Sequence, residues 1–402
     1  MPKCKFKKDG WECPLQSLPG EDYCYWHKVE DGKNPDNAKL KELKKHNIKF
    51  VYLRKAKLIN KNLKNANLEE ANLEEANLER ANLEEANLRG ANLYGANLQG
   101  ANLSKVNLQE ADLIEVNLQG ANLNRANLEK ADLIKANLEK AYLIEANLQE
   151  TDLIEVNFQK ANLSRTNFEK SYLERVNLQE ANLSRANLRG SEFNKVNLER
   201  ANLIRANLQE TDLIEVSLQR ANLNGANLEK ANLEEINLER TNLEEANLIK
   251  VNLQRAELRG ANLQRSYLEE ANLHGVNLYG ANLQGANLSR ANLEKTNLER
   301  VNLHGTNLIE AKLQGTYLKG ANLKGANLIG VIVDSETLLD GANLTHANLY
   351  LSYLDGTKTL RNAIFEDKEI NEIVADLLKS GKDLVLDVEK IKKDDPKVAS
   401  KL

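Results

Sequence analysis

The sequence predicts an all-β fold, a four-sided β-helix wound from five-residue repeats over residues 51–356. Three observations carry it. Leucine stands at almost every fifth position from Leu53 to Leu328, and a small residue, usually Ala, precedes each by two places. Substitutions at the remaining positions recur at twenty residues instead of five. Around this tract the chain divides into a cysteine-containing module at 1–34, a capping helix at 35–50, and a helical cap and tail at 357–402.

The period excludes the standard elements. On an α-helix five residues advance about 500°, so the leucines would spiral over every face. On a continuous strand an odd period puts successive leucines on opposite faces. Either arrangement leaves half of them in water, at a cost of about 1.5–3 kcal/mol each. A corner in every repeat removes the conflict: Ala and Leu point inward from a short strand, and the next two residues turn the chain. Internal repeats of this kind specify the whole architecture.

The number of corners per coil is written in the substitutions. Asp112, Asp132, Asp152, Tyr172, Glu192 and Asp212 replace the usual Asn at twenty-residue steps. Val116, Val156, Val176, Val196, Val216, Ile236 and Val276 enlarge the small position on a similar lattice, with Ala136 and Ala256 in its gaps. Twenty residues is four repeats, so stacked coils have four sides; a triangular coil would have given fifteen. Phe158, Phe168 and Phe193 replace leucine on the same beat.

This motif of small residue, Asn or Asp, Leu and two variable residues resembles that of the pentapeptide repeat family, across about three quarters of the chain. The resemblance implies a right-handed quadrilateral β-helix. The regular tract, residues 51–330, holds about 56 repeats and 14 coils, a rod of roughly 65–70 Å at the inter-strand spacing. Between Val331 and Gly341 the beat slips by one residue, which predicts a bulge or corner loop before a last coil ending near Gly356.

A stacked coil has unpaired edges that need covering. Asp36 to about His46 predicts a helix with Asp36 as N-cap and Leu40 and Leu43 on one face, leading into Ile48, Phe50 and Val51. Lys368–Ser380 carries Ile370, Ile373, Val374, Leu377 and Leu378 at helical spacing and stops at Gly381. Both helices read as end caps, and the second also offers a surface for a homodimer.

All three cysteines fall within the first 24 residues, and Cys4, Cys13, Cys24 and His27 end in a Cys-x-x-His pattern. Three thiolates and an imidazole make a closed tetrahedral zinc site, structural and not catalytic. A segment this short needs such a staple. It resembles the plant WRC zinc motif, with Trp11 two residues before the second cysteine and Tyr23 just before the third, although that motif has one more residue between its first two cysteines. The resemblance implies the four ligands, and in that family the motif is taken to bind DNA.

The charge of -4 on 402 residues gives no general attraction to nucleic acid or to anionic membrane. No apolar run reaches the length of a membrane span, and MPKCKFKKDG lacks the apolar core of a secretory signal. With thiols placed for metal and not for disulfides, a cytoplasmic location is expected. No catalytic set emerges: His274, His304 and His346 share no column, and Gly90, Gly95 and Gly100 serve corners, so the chain is not expected to be an enzyme.

The outward positions form columns. Lys105, Arg125, Arg165, Arg185 and Arg205 make one, broken by Glu145; Ile114, Ile134, Ile154 and Ile214 make another, beside Glu115, Glu155 and Glu215. Repeat duplication alone would leave such columns on a solvated rod. They also suit docking to a protein partner or side-by-side self-association. The expected function is a non-catalytic scaffold for protein–protein interaction. Two alternatives stand beside it. Some family members imitate duplex DNA and bind a type II topoisomerase, DNA gyrase. That would need on the order of 40 negative charges over such a length, whereas residues 51–356 hold 41 acids against 34 basic residues, a net of -7. The other is nucleic-acid contact through the zinc module and the Arg stripe.

Overall fold

A regular corner is closed by one hydrogen bond. In the repeat Val51-Tyr52-Leu53-Arg54-Lys55 the N–H of Ala56 donates back to the Leu53 carbonyl at 3.0 Å. Lys55 takes φ 54° while Arg54 does not turn positive, the signature of a type II turn. The left-handed conformation costs a residue with a Cβ about 1–2 kcal/mol. Two bonds offset it. Lys55 N–H continues the ladder to Glu74 at 2.8 Å, and the Asn side chain spans the corner, as where Asn67 Oδ1 accepts the Glu69 N–H at 3.1 Å. Glycine takes the left-handed slot without that cost at Gly90, φ 62°.

The computed structural model describes residues 2–334, 336–345 and 347, in two compact units, Met1–Leu198 and Glu199–Leu402. In the first, the second residue of the repeat bridges in parallel to the residue twenty further on. Tyr52 pairs with Asn72, Lys57 with Asn77, Asn62 with Asn82 and Asn67 with Asn87, after which Asn72 to Asn92 returns to the first side. Four sides therefore close each turn, as the substitution lattice requires. Leu53 N–H donates to Asn72 at 2.7 Å and Asn72 N–H to Val51 at 2.9 Å. The fold is the right-handed quadrilateral β-helix of pentapeptide repeats.

The leucines and alanines point inward and are almost wholly buried. Phe158 and Phe168 meet across the interior edge to face, centroids 6.2 Å apart. Outside, the asparagines stack: Asn147 Oδ1 accepts from Asn167 at 3.2 Å, and Asn167 Oδ1 from Asn187 at 3.0 Å. Each amide thus ties its own corner to the coils above and below.

Three corners of this unit stay open. The strands there lengthen to β3 (Asp152–Ile154), β4 (Tyr172–Glu174) and β5 (Glu192–Asn194), parallel and in register, Asp152 on Tyr172 and Tyr172 on Glu192. No turn bond from Val156, Val176 or Val196 closes them. Each combines a hydroxyl residue in the small slot, a residue other than Asn after it, and a Val opening the next repeat. Ala111-Asp112 followed by Val116 closes normally at 3.2 Å, so the β-branched residue alone is not enough. The hydroxyls of Thr151, Ser171 and Ser191 are buried and bond main-chain carbonyls at 2.6–2.7 Å.

Before the coil, β1 (Lys7–Lys8) and β2 (Trp11–Glu12) form an antiparallel hairpin across Asp9-Gly10, both with positive φ. Such a two-residue turn matches the strand twist. The helix α1 runs Asn37–Lys45, its N-cap Asp36 accepting the Lys39 N–H at 2.8 Å, with Leu40 and Leu43 buried. The repeat geometry starts one unit before residue 51. Ile48 fills a leucine slot, buried, Phe50 takes φ 55°, and Asn47 heads an amide ladder to Asn67 at 2.8 Å. His46 in place of Ala hides this repeat in the sequence.

The second unit repeats the scheme through bridges such as Asn222 to Asn242 and Asn242 to Asn262, with one three-residue strand, β6 (Asp212–Ile214). The expected slip is present. Lys312 bridges Ile332 twenty residues on, but Tyr317 bridges Leu338, twenty-one on. Asp334 holds the extra residue, its Oδ1 accepting the N–H groups of Gly315, Glu336 and Thr337 at 2.9–3.1 Å. Burial alone would raise this carboxyl, but those donors and the Thr337 hydroxyl hold it below the usual range. The expected helix at Lys368–Ser380 and the end of the last coil at Gly356 lie outside the described residues.

Candidate metal centre

Cys4, Cys13, Cys24 and His27 are brought together from three local structures. Cys4 enters the hairpin and its N–H bonds Leu15 at 2.9 Å; Cys13 leaves it and bonds Phe6 at 3.1 Å. Cys24 opens a turn in which the N–H groups of His27 and Lys28 return to its carbonyl at 3.2 and 3.0 Å. That turn sets the Cys24 Sγ 3.3 Å from His27 Nδ1. Cys4 Sγ lies 3.8 Å from the same nitrogen and Cys13 Sγ 3.7 Å from Cys24 Sγ. All four side chains are buried, and their donor atoms lie within 4.8 Å of one another, so the group could hold a metal ion.

The surroundings fix the imidazole. His27 Nε2 donates to the Lys49 carbonyl at 2.8 Å, leaving Nδ1 as the lone-pair nitrogen facing the sulfurs. Phe6 stacks on the ring at 4.0 Å and Trp11 meets it edge-on at 5.7 Å, excluding water. The Cys13 thiol donating to Cys24 pulls the Cys24 thiol down. The same bond, with burial, pushes Cys13 up.

Two residues of this region escaped the sequence reading. Trp26 is fully buried and donates its indole N–H to Glu42 of α1 at 3.1 Å. Lys33 is buried, its ammonium donating to the carbonyls of Lys28 at 2.6 Å and Tyr52 at 2.8 Å. Burial lowers it to about 8. One signal existed: Lys33 stands twenty residues before Leu53, in the leucine slot of a coil that does not form.

On the first unit's surface the basic column is less basic than its sequence. Glu145 sits between Arg125 at 2.9 Å and Arg165 at 3.0 Å, and Lys105 pairs with Glu85 at 2.9 Å. The module's lysines are similarly matched, Lys5 with Asp22 and Lys7 with Glu12, both at 2.7 Å, and Lys28 with Glu21 at 3.1 Å. Ile114, Ile134 and Ile154 share one corner, half-buried. In the second unit His304 Nδ1 lies 2.7 Å from the Lys324 carbonyl and His274 lies 3.8 Å from Glu294, so these two form no common site; His346 lies outside the described residues.

A profile of eight pentapeptide repeats matches the chain in overlapping windows from 47–84 to 296–333. The chain belongs to the pentapeptide repeat family. This pentapeptide repeat protein is similar to HetL, described as involved in heterocyst differentiation regulation in the cyanobacterium Nostoc sp. strain PCC 7120. The identity is 35% over 55% of this chain and 90% of HetL, with a TM-score of 0.29. It is 31% identical to a pentapeptide repeat protein of the Arabidopsis thaliana thylakoid lumen, over 24% of this chain and 66% of that one, TM-score 0.23. With full-length QnrB1, a plasmid-mediated fluoroquinolone resistance protein, identity is 18% over 54% and 94% of the chains, TM-score 0.21. No curated protein matches it.

Proposed function

We propose that this protein is a non-catalytic cytoplasmic scaffold whose coils present fixed columns of side chains to a protein partner, with a structural zinc ion in its amino-terminal module. One observation carries the scaffold reading: outward side chains twenty residues apart are locked in stacked register by main-chain bridges and amide ladders. Such a surface is pre-organised, so a partner meets little ordering cost. Among the described residues the one buried cluster of reactive groups is Cys4, Cys13, Cys24 and His27, whose donor atoms face one another.

Zinc suits this cluster. Zinc–sulfur bonds of about 2.3 Å in a tetrahedron put sulfurs about 3.8 Å apart, and Cys13 and Cys24 are already at 3.7 Å. Zinc there would neutralise the buried thiolates and supply a cross-link; with four protein donors it has no open position for substrate. Purified protein is expected to hold about one zinc per chain, lost in Cys24→Ala; an unchanged zinc content in that variant refutes the assignment.

DNA mimicry is disfavoured by the modest net charge and by basic side chains interleaved with the acids, and DNA contact by the pairing of the module's lysines. Binding to DNA gyrase and to duplex DNA across a salt series tests both, with no measurable binding to either expected. Gyrase binding without DNA binding would replace the scaffold reading with mimicry; steeply salt-dependent DNA binding would replace it with nucleic-acid contact.

A further inference from the structure

We infer that the metal module is the lock on the amino-terminal edge of the β-helix: residues 26–33, held by His27 and Cys24, replace the missing coil, so metal occupancy decides whether that edge is closed. The inference rests on reading the Cys4, Cys13, Cys24 and His27 cluster as a metal site.

The comparison between the first coil and the second shows the substitution group by group. In the second coil the carbonyls of Glu69, Asn72 and Glu74 accept from Phe50, Leu53 and Lys55, and the N–H groups of Asn72 and Asn77 donate to Val51 and Ala56. One coil earlier the same five positions have no coil to pair with. Lys49 C=O accepts from His27 Nε2 at 2.8 Å, Tyr52 C=O from the Lys33 ammonium at 2.8 Å, and Arg54 C=O from Gly32 N–H at 3.0 Å. Tyr52 N–H donates to Trp26 and Lys57 N–H to Lys33, both at 2.8 Å. All five are satisfied, and only Lys33 to Tyr52 keeps the nineteen-residue step of a true coil, through its ammonium instead of its N–H.

The segment that does this has no helix or strand of its own. Its fixed points are the metal cluster, at Cys24 and His27, the Trp26 bond to Glu42 of α1, and Asp31, which accepts from Tyr52 Oη at 2.8 Å and from Arg54 at 2.7 Å. His27 is the joint: one ring nitrogen faces the sulfurs and the other caps the coil. Outer partners of ligating histidines orient the ring and are oriented by it. Here the outer partner is the edge of the ladder, and an open parallel edge is a template for pairing with other chains.

Hydrogen exchange on the full-length protein, metal-loaded and after chelation, reads the lock directly. The amides of Tyr52 and Lys57 are expected to exchange about 100-fold faster without metal, while residues 92–112 keep their rate. Equal protection of Tyr52 and Lys57 in both forms would overturn the inference. Lys33→Met should retain the ion yet speed exchange at the same two amides about tenfold; no change there would also count against it. Protein that takes up no zinc in direct titration refutes the metal reading itself, whereas bound zinc with unaltered edge protection refutes only the lock.

Discussion

At Asn167 three hydrogen bonds converge on one amide: its Oδ1 accepts from Glu169 N–H at 3.2 Å and from Asn187, and its Nδ2 reaches Asn147. Asn167→Ala removes all three, a loss of about 1–3 kcal/mol read from the urea midpoint. Leu128→Ala opens a hole in a wall where the side chain is fully buried, and should cost about 2–5 kcal/mol. At Asp334 the direction with pH is set by its lowered carboxyl. The unfolded chain binds a proton there before the folded one does as pH falls. The corner's contribution is therefore complete above the ordinary carboxylate value and is lost as pH drops through the folded one. The stability gap between wild type and Asp334→Ala should accordingly narrow below about pH 4; a gap independent of pH would contradict the bonding.

Among the elements, helix α1 and the clustering of Cys4, Cys13, Cys24 and His27 were legible because each has a local signature: Asp36 before an amphipathic run, and cysteines ending in Cys-x-x-His. The attachment of the module to the coil was not. His27 to Lys49, Lys33 to Tyr52 and Trp26 to Tyr52 join side chains and main chain at irregular separations, and no periodicity records such bonds. The open corners were half legible: the lattice at 112–212 marked one side of the coil as different, but only the coincidence of hydroxyl, non-Asn and Val leaves a corner without its turn bond. The amides of Val156, Val176 and Val196 should consequently exchange faster than those of Val116 and Ala136, whose turn bonds are 3.2 and 2.9 Å. Equal rates would mean the corners are closed in solution. If the module holds zinc as proposed, acid should release it, because protons compete for three thiolates and an imidazole; zinc retained at pH 4 would argue against those ligands.

For the whole molecule, the sequence reached the architecture because a solenoid writes its geometry in its period. Leucine at every fifth position required a corner, and substitutions at every twentieth counted the sides. The charges were harder to read. Arg125 and Arg165 looked like a basic stripe interrupted by Glu145, yet Glu145 is the residue that pairs with both. Basic side chains stand among the acids, as Arg125 and Arg165 do about Glu145 and Arg175 beside Glu155, which disfavours a uniform DNA-like field, and a partner would read shape and local pattern on one face. That reading depends on the twenty-residue register. Paired cysteines test it most directly, since stacked positions lie within disulfide reach. Asn107→Cys with Asn127→Cys, which bridge in the first unit, should cross-link readily under mild oxidation, and Asn107→Cys with Asn122→Cys should not. Efficient cross-linking at fifteen residues and none at twenty would contradict the four-sided coil and the columns built on it.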